Sequence, residues 1–317
     1  MSIPQADVIA EAVAFPRDEA EGGRRQGRVL WPYLLVLPAV IVITAVLIYP
    51  VAYGLFLSFF NYQMTFSPDR TFVGLANYRR LLFDNADFLN SARVTAQFTA
   101  ITVVLEFCIG LGLALLLNLE FPGRAGFRAL ILLPLMVPPL VSGLLWRLMY
   151  DHELGVLSFF IRSLGVEPPV FLGDPKIALI AVSLTEVWRA TPFMTLVLLA
   201  ALQSVPTELH EAAQVDGAGP VDRFRAVTFP LILPVVLIAL LFRTVDVLRT
   251  FDLVYLLTQG GPGTTTEVLA MFIYRYGFQS FDMGLTSAAS MILFALTLAV
   301  CLVYLRLIIR RQALARS

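Results

Sequence analysis

Lysine is almost missing from this chain of 317 residues: Lys176 is the single one among 23 Lys and Arg. A phosphate-binding P-loop closes its glycine-rich turn with Lys followed by Ser or Thr, whereas Lys176 precedes Ile177 and has no glycine-rich approach. ATP hydrolysis through such a loop is excluded. Histidine and cysteine are as scarce, at two residues each. Cys108 and Cys301 fall inside apolar segments, where cysteine behaves as a small hydrophobic residue, so neither a disulfide framework nor a metal site is implied. His152 and His210 lie in separate polar segments, no HExxH occurs, and no apolar segment pairs Ser with His. The usual hydrolytic constellations are therefore missing. An excess of one charge is lacking too, since 23 acidic residues balance the basic ones, and nothing points to nucleic acid.

What the chain has in abundance is apolar sequence: 58% of its residues are hydrophobic and the mean hydropathy is +0.79. A soluble domain of this size needs far less. A helix needs about 20 mostly apolar residues to cross a bilayer, and six stretches qualify, near 30–59, 94–119, 129–150, 177–202, 231–257 and 285–309. The expected fold is an all-α polytopic membrane protein, one membrane domain over 30–310 between short polar tails at 1–29 and 311–317. The first tail has no apolar stretch of the kind a cleaved signal needs. The first span is long and carries Pro38 and Pro50, which predicts a tilt or kink, with Trp31 and Tyr33 anchoring one interface.

Orientation follows from the bias of Arg and Lys toward the cytoplasmic side. With the N-terminus inside, the inner segments hold Arg17, Arg24, Arg25, Arg28, Arg124, Arg128, Arg223, Arg225, Arg306, Arg310, Arg311 and Arg316. The outer ones hold Arg70, Arg79, Arg80, Arg93, Arg162, Lys176 and Arg275. Both termini and the segment 203–230 are thus expected in the cytoplasm. Among the outer segments, Gly155 to Gly165 sets Leu157, Phe160, Ile161 and Leu164 on one face of a short helix suited to the interface.

The segment 203–230 is a polar island between two apolar runs. Leu209, Ala212, Ala213 and Val215 alternate with Glu208, His210, Glu211 and Gln214, a short amphipathic helix that Gly217 can stop in left-handed geometry. A second short segment, Pro220 to Val227, leads to Pro230. Two short helices at an angle would make a projecting knob. The pattern Glu211-Ala212-Ala213, Asp216-Gly217 and Val227 to Pro230 resembles the EAA loop of binding-protein-dependent ABC importer permeases, with Val227 and Phe229 where Ile and Leu are usual. Phe72 to Tyr78, Leu133-Pro134, Trp146-Arg147, Val187-Trp188-Arg189, Thr191-Pro192-Phe193, and Leu257 to Pro262 look like the maltose, trehalose and glycerol-3-phosphate branch. Leu241 to Thr244 with Asp246, Arg249, Phe251 and Asp252 is similar to its first permease subunit, above all the trehalose type.

The resemblance implies a type I permease fold of six spans and a transport subunit that is not an enzyme. It implies a second homologous permease, two ABC ATPases holding ATP and Mg, and an extracytoplasmic solute-binding protein, all at a bacterial or archaeal cytoplasmic membrane. No cofactor is expected on this chain. The implied cargo is a sugar such as trehalose or maltose, with glycerol-3-phosphate or another polyol as the alternative. A proton-coupled transporter using Glu106 is a further alternative, although six spans without an evident inverted repeat argue against it.

Ionisable groups in the spans need partners or water, since each costs about 2.5–3.5 kcal/mol at the bilayer centre. Glu106 stands mid-way along the second span, and Glu186 and Arg189 mid-way along the fourth, which suggests that Arg189 pairs with one of the two carboxylates. Arg243, Asp246, Arg249 and Asp252 follow at three-residue steps on the fifth. On one helix such a stripe spirals, so neighbours can pair but all four cannot face one cavity.

Overall fold

The computed structural model describes residues 25–65 and 67–314. Most of the expected tail at 1–29 and the end of the one at 311–317 lie outside the described residues, as does the side chain of Trp31. The described residues fall into two compact units, divided between Tyr53 and Gly54. In the first, α1 (Arg25–Ile43) passes through a five-residue π turn (Thr44–Ile48) into the start of α2 (Tyr49–Leu57). The turn has a local cause. Pro50 has no N–H to give the preceding turn, so the hydrogen-bond ladder slips beside it, whereas α1 runs through Pro38. Every side chain from Tyr33 to Tyr53 is exposed within this chain, as suits a helix whose apolar surface meets lipid or another protein.

The second unit adds a hairpin that an all-helical reading omits. β1 (Phe60–Gln63) pairs antiparallel with β2 (Ser67–Phe72), Phe60 opposite Phe72 with their rings 5.4 Å apart. The amide of Asn77, in α3 (Ala76–Arg79), donates to the carbonyls of Ser58 and Phe60 at 2.9 Å and locks the hairpin down. Next, α4 (Ala86–Asn118) begins well before the expected Val94, because Asn85 caps it by accepting from the Phe88 N–H at 2.8 Å.

Two expected spans and one short helix need correction. The third is two helices, α5 (Arg124–Leu132) and α6 (Pro139–Met149), bent by 99° across a 3-10 turn at Leu133–Met136. Pro134, Pro138 and Pro139 cannot donate to a helical ladder, and three missing donors within six residues break the helix there. The fifth runs as one helix from Pro220 to Leu248, made of α10 (Pro220–Arg223), a π turn at Phe224–Thr228 and α11 (Phe229–Leu248). It stops short of 257: Arg249 to Phe251 turn, and α12 (Asp252–Leu257) starts anew. The short helix α7 (Val156–Ser163) directs Leu157 and Ile161 inward but leaves Phe160 and Leu164 exposed, so the expected apolar face is split. The remaining long helices are α8 (Ala178–Gln203) and α14 (Met283–Leu314), with α9 (Thr207–Val215) and α13 (Leu269–Tyr274) as short pieces between.

 Among the described residues, four helices can cross a membrane by length and composition, and counting each bent pair, α5 with α6 and α8 with α9, as one span would bring the number to six.

The core forms where α4 and α8 lie side by side, the most extensive helix pairing in the chain. Two apolar clusters flank its middle. One gathers Phe98, Val182, Val247 and Val254, and the other Leu117, Met194, Leu198, Ile232 and Val236, at the end that bears residues 204–219. A third seats Phe88 against Phe272 and Leu285. Beside it Arg275 donates to Glu267 at 2.8 Å and to Asp87 at 3.1 Å. Burial pushes the Glu267 carboxyl up, and the Arg275 guanidinium pulls it back. Gly110 permits the close approach of α4 to α8, since a Cβ there would lie 2.8 Å from Met194 Cγ. Gly110→Leu should therefore lower stability by about 1–3 kcal/mol, read as a fall in the thermal unfolding midpoint in detergent. An unchanged midpoint would show that the two helices are not tightly apposed there.

Candidate functional site

Between the two flanking clusters, three helices each contribute charge. On α4, Glu106 follows Phe98 and precedes Leu117; on α8, Glu186 lies between Val182 and Met194; on α11, Arg243 lies between Val236 and Val247. The periodicity that buries those neighbours also buries the charges: Glu106 and Glu186 are fully covered, and Arg243 is 4% exposed. Arg243 grips Glu106 with two parallel bonds, Nε to Oε2 and Nη2 to Oε1, both 2.7 Å. Its Nη2 also reaches Glu186 Oε1 at 2.9 Å, and its Nη1 donates to Asp246. Arg189, one turn from Glu186 on α8, donates to both oxygens of that carboxylate. Charge-assisted pairs of this forked kind are the strong class of hydrogen bond. Arg189 pairs with Glu186 and not Glu106, whose guanidinium comes from Arg243, 137 residues away.

The network opens on one side. A cavity of about 460 Å³ is lined by Glu186 and Arg189 of α8, Asp246 of α11, Arg249, Thr250 and Phe251 of the turn, Asp252 and Leu253 of α12, and Pro139 of α6. Of the stripe Arg243, Asp246, Arg249 and Asp252, which on one continuous helix could not all face one cavity, three line this wall and Arg243 does not. The helix ends at Leu248, so the turn at 249–251 brings all three to one wall. Arg243 lies behind that wall. Among the described residues the side chains of Arg249 and Asp252 enter no ion pair, which leaves them available to a solute. Thr250 and Pro139 carry no charge signal and were not singled out from sequence, and Phe251 was named only through the family resemblance; the helix breaks place all three in this wall.

The polar island forms a second feature. Its helix α9 leaves α8 at 68° and presents Glu211 and Ala212 to solvent, with Ala213 half-buried. Gly217, at φ +81, ends it as a left-handed stop. The Ala218 N–H donates to the Ala213 carbonyl at 2.9 Å and the Gly217 N–H to that of Gln214 at 3.0 Å, the paired bonds of a Schellman ending. Asp216 and Pro230 are exposed and Val227 is half-buried. The expected second short helix is corrected, because Pro220 to Val227 is the first part of the long helix that ends at Leu248. Pro230 cannot donate one turn back, and the π turn that ends at Thr228 absorbs the mismatch. Leu209, Val215 and Val221 are 42%, 87% and 62% exposed, so the island shows apolar surface despite its polarity.

The family model described as binding-protein-dependent transport system inner membrane component matches residues 107–313. The chain is 42% identical over 274 residues to the trehalose/maltose transport system permease protein MalF of Thermococcus litoralis, covering 86% of this chain and 92% of that one. It is 40% identical to the sulfoquinovosyl glycerol transport system permease protein SmoG of Agrobacterium fabrum, covering 87% and 89%. In fold it is similar to a chain of a bacterial ABC transporter involved in the import of the acidic polysaccharide alginate, with a TM-score of 0.77, 24% identity, and coverage of 90% and 96%.

Removing Arg243 would leave two buried carboxylates without their shared partner. Arg243→Met is expected to cost roughly 3–5 kcal/mol, read by thermal unfolding in detergent. Adding Glu106→Leu should recover part of the loss, and a double variant no more stable than Arg243→Met would remove the coupling between the two residues.

Proposed function

The chain belongs to the binding-protein-dependent transport system inner membrane components, the permease subunits of ABC importers, and from that premise we propose that its cavity carries a sugar across the cytoplasmic membrane of a bacterium or archaeon. It is a multi-pass transport subunit and not an enzyme. The observation that carries the choice of cargo is the cavity wall, in which charged and hydroxyl groups adjoin the Phe251 ring. Charged groups are strong hydrogen-bond partners for sugar hydroxyls. Arg189 and Arg249 face three carboxylates, Glu186, Asp246 and Asp252, so the wall has a net negative formal charge. That balance favours a neutral polyhydroxy solute such as a disaccharide over the anion glycerol-3-phosphate. The relatives named for trehalose and maltose support the same class. A proton-coupled mechanism would need an exchangeable proton on Glu106, yet both of its oxygens accept from Arg243.

The energy comes from a partner in this reading. ATP and Mg sit on two ATPase subunits, which take the island 203–230 of this chain and its counterpart on a second, homologous permease into surface grooves. The rigid stop at Gly217 and the exposed Leu209, Val215 and Val221 suit such a joint. With both termini and the island in the cytoplasm, an extracytoplasmic binding protein delivers the sugar at the opposite face. Closure of the ATPases would then rock the spans from inward-open to outward-open.

Two measurements on the reconstituted transporter test these roles. Arg249→Ala or Asp252→Asn should weaken sugar uptake about tenfold or more, as loss of a charged hydrogen bond to a solute does, while leaving the unfolding midpoint in place. Uptake at the wild-type rate and affinity in both variants would exclude the wall from the sugar path. Gly217→Pro, which cannot adopt a positive φ, or Glu211→Lys should uncouple ATP hydrolysis from uptake in an inserted and assembled complex. Normal coupling in both would end the assignment of 203–230 to the ATPase.

A further inference from the structure

At the start of α5, two guanidiniums converge without a carboxylate between them. With the Gln203 amide oriented so that its oxygen faces them, that oxygen accepts from Nη2 of Arg124 and of Arg128, each at 3.0 Å. The buried Nε of each arginine has no partner, and neither residue enters an ion pair with a described carboxylate. One neutral amide oxygen thus serves two positive charges, which repel each other and leave donors unused. The helix start adds to the deficit. Gly123 gives α5 no side-chain cap, its first-turn N–H groups favour an anion, and the space where Gly123 and Gly126 would carry a Cβ is open.

Two to three residues further along α5, Leu130 and Ile131 enter the wall of a groove of about 730 Å³ that continues past Trp146 of α6 and Leu157 of α7 along Leu184 and Trp188 of α8. At 1.5 Å rise per residue, Arg128 lies roughly 5 Å from the start of this apolar surface. A charged end and an apolar groove at that spacing match an amphiphile. The volume decides against a membrane-spanning helix as the whole occupant, because a 20 Å length about 10 Å across would fill roughly 1,600 Å³.

We propose that an anionic phospholipid docks here, its phosphate on Arg124 and Arg128 and an acyl chain in the groove between α5, α6, α7 and α8. Its headgroup replaces the missing counter-charge. Because Gln203 is the last residue of α8 and the polar island follows directly, the lipid braces the joint from which α9 departs.

The test uses this chain purified in mild detergent with whatever subunits accompany it, its bound lipid identified and counted by native mass spectrometry. The wild type should retain about one anionic phospholipid per chain. On reconstitution with mixed lipid it should prefer phosphatidylglycerol to phosphatidylcholine by about thirtyfold, as two interfacial arginines imply. The double variant Arg124→Gln, Arg128→Gln should lose that preference, and Leu130→Trp, which narrows the groove and leaves both arginines in place, should lower retention about tenfold. An unchanged unfolding midpoint in Leu130→Trp guards against a mere folding defect. Equal retention by the wild type and the double variant, equal retention of the two lipids, or a wild type without phospholipid but with Arg128 cross-linked to a partner subunit's carboxylate would each overturn the proposal.

Discussion

Everything in the middle of this molecule depends on Arg243 keeping two buried carboxylates company. Glu106 and Glu186 come from different helices and are fully buried, and an isolated ionised carboxylate in such surroundings is untenable. Arg243 joins both and reaches Asp246 as well, while Arg189 takes the remaining approach to Glu186. The attraction is strong because the medium is apolar, and for the same reason its net contribution to stability is modest once desolvation is counted. What it supplies is register. α4, α8 and α11 can meet at the level where these groups coincide, and a slide along any one of them would strand a charge.

The register also explains how an open cavity can adjoin a packed core. Arg243 and Glu106 are withdrawn from the cavity, whereas Glu186, Arg189 and Asp246 form part of its wall. The same ions therefore tie the helices together on one side and offer polar groups to a solute on the other. A solute that competes for Arg189 or Asp246 competes with bonds that hold α8 against α11. Occupancy of the cavity and the arrangement of the helices are then linked through shared hydrogen bonds, with no separate relay required.

Interrupted helices are the second constraint. Backbone that leaves its ladder within a membrane needs protein or water around it, and the breaks here fall where such cover exists. The turn at 249–251 borders the cavity, the gap between α5 and α6 places Pro139 in the same wall, and the bend after Gln203 opens into the polar island. Prolines set several of these sites by withholding a donor, and Gly217 sets the last by accepting a positive φ. The long unbroken helices α4 and α8 supply the rigid frame on which the broken ones are mounted.

The local rules of the sequence reach a long way. Apolar runs longer than a bilayer announce the spanning segments, scarce lysine and histidine remove whole families of chemistry, and Gly217 after an amphipathic helix announces a helix stop whose bonds the fold supplies as expected. Those features depend on neighbours a few residues apart, so the chain itself carries them. The partner of Glu106 was beyond that reach, since Arg243 is 137 residues away and Arg189 offered an equally plausible charge at similar depth. So was the cavity, because nothing in Arg249-Thr250-Phe251 says that a helix should end there; packing of α12 against α6 does. The sequence by itself determined which segments are apolar enough to span a membrane and which groups must find partners. Only the tertiary structure decided which partners they found, because a buried charge is satisfied by whatever the packing of distant helices brings within three ångströms.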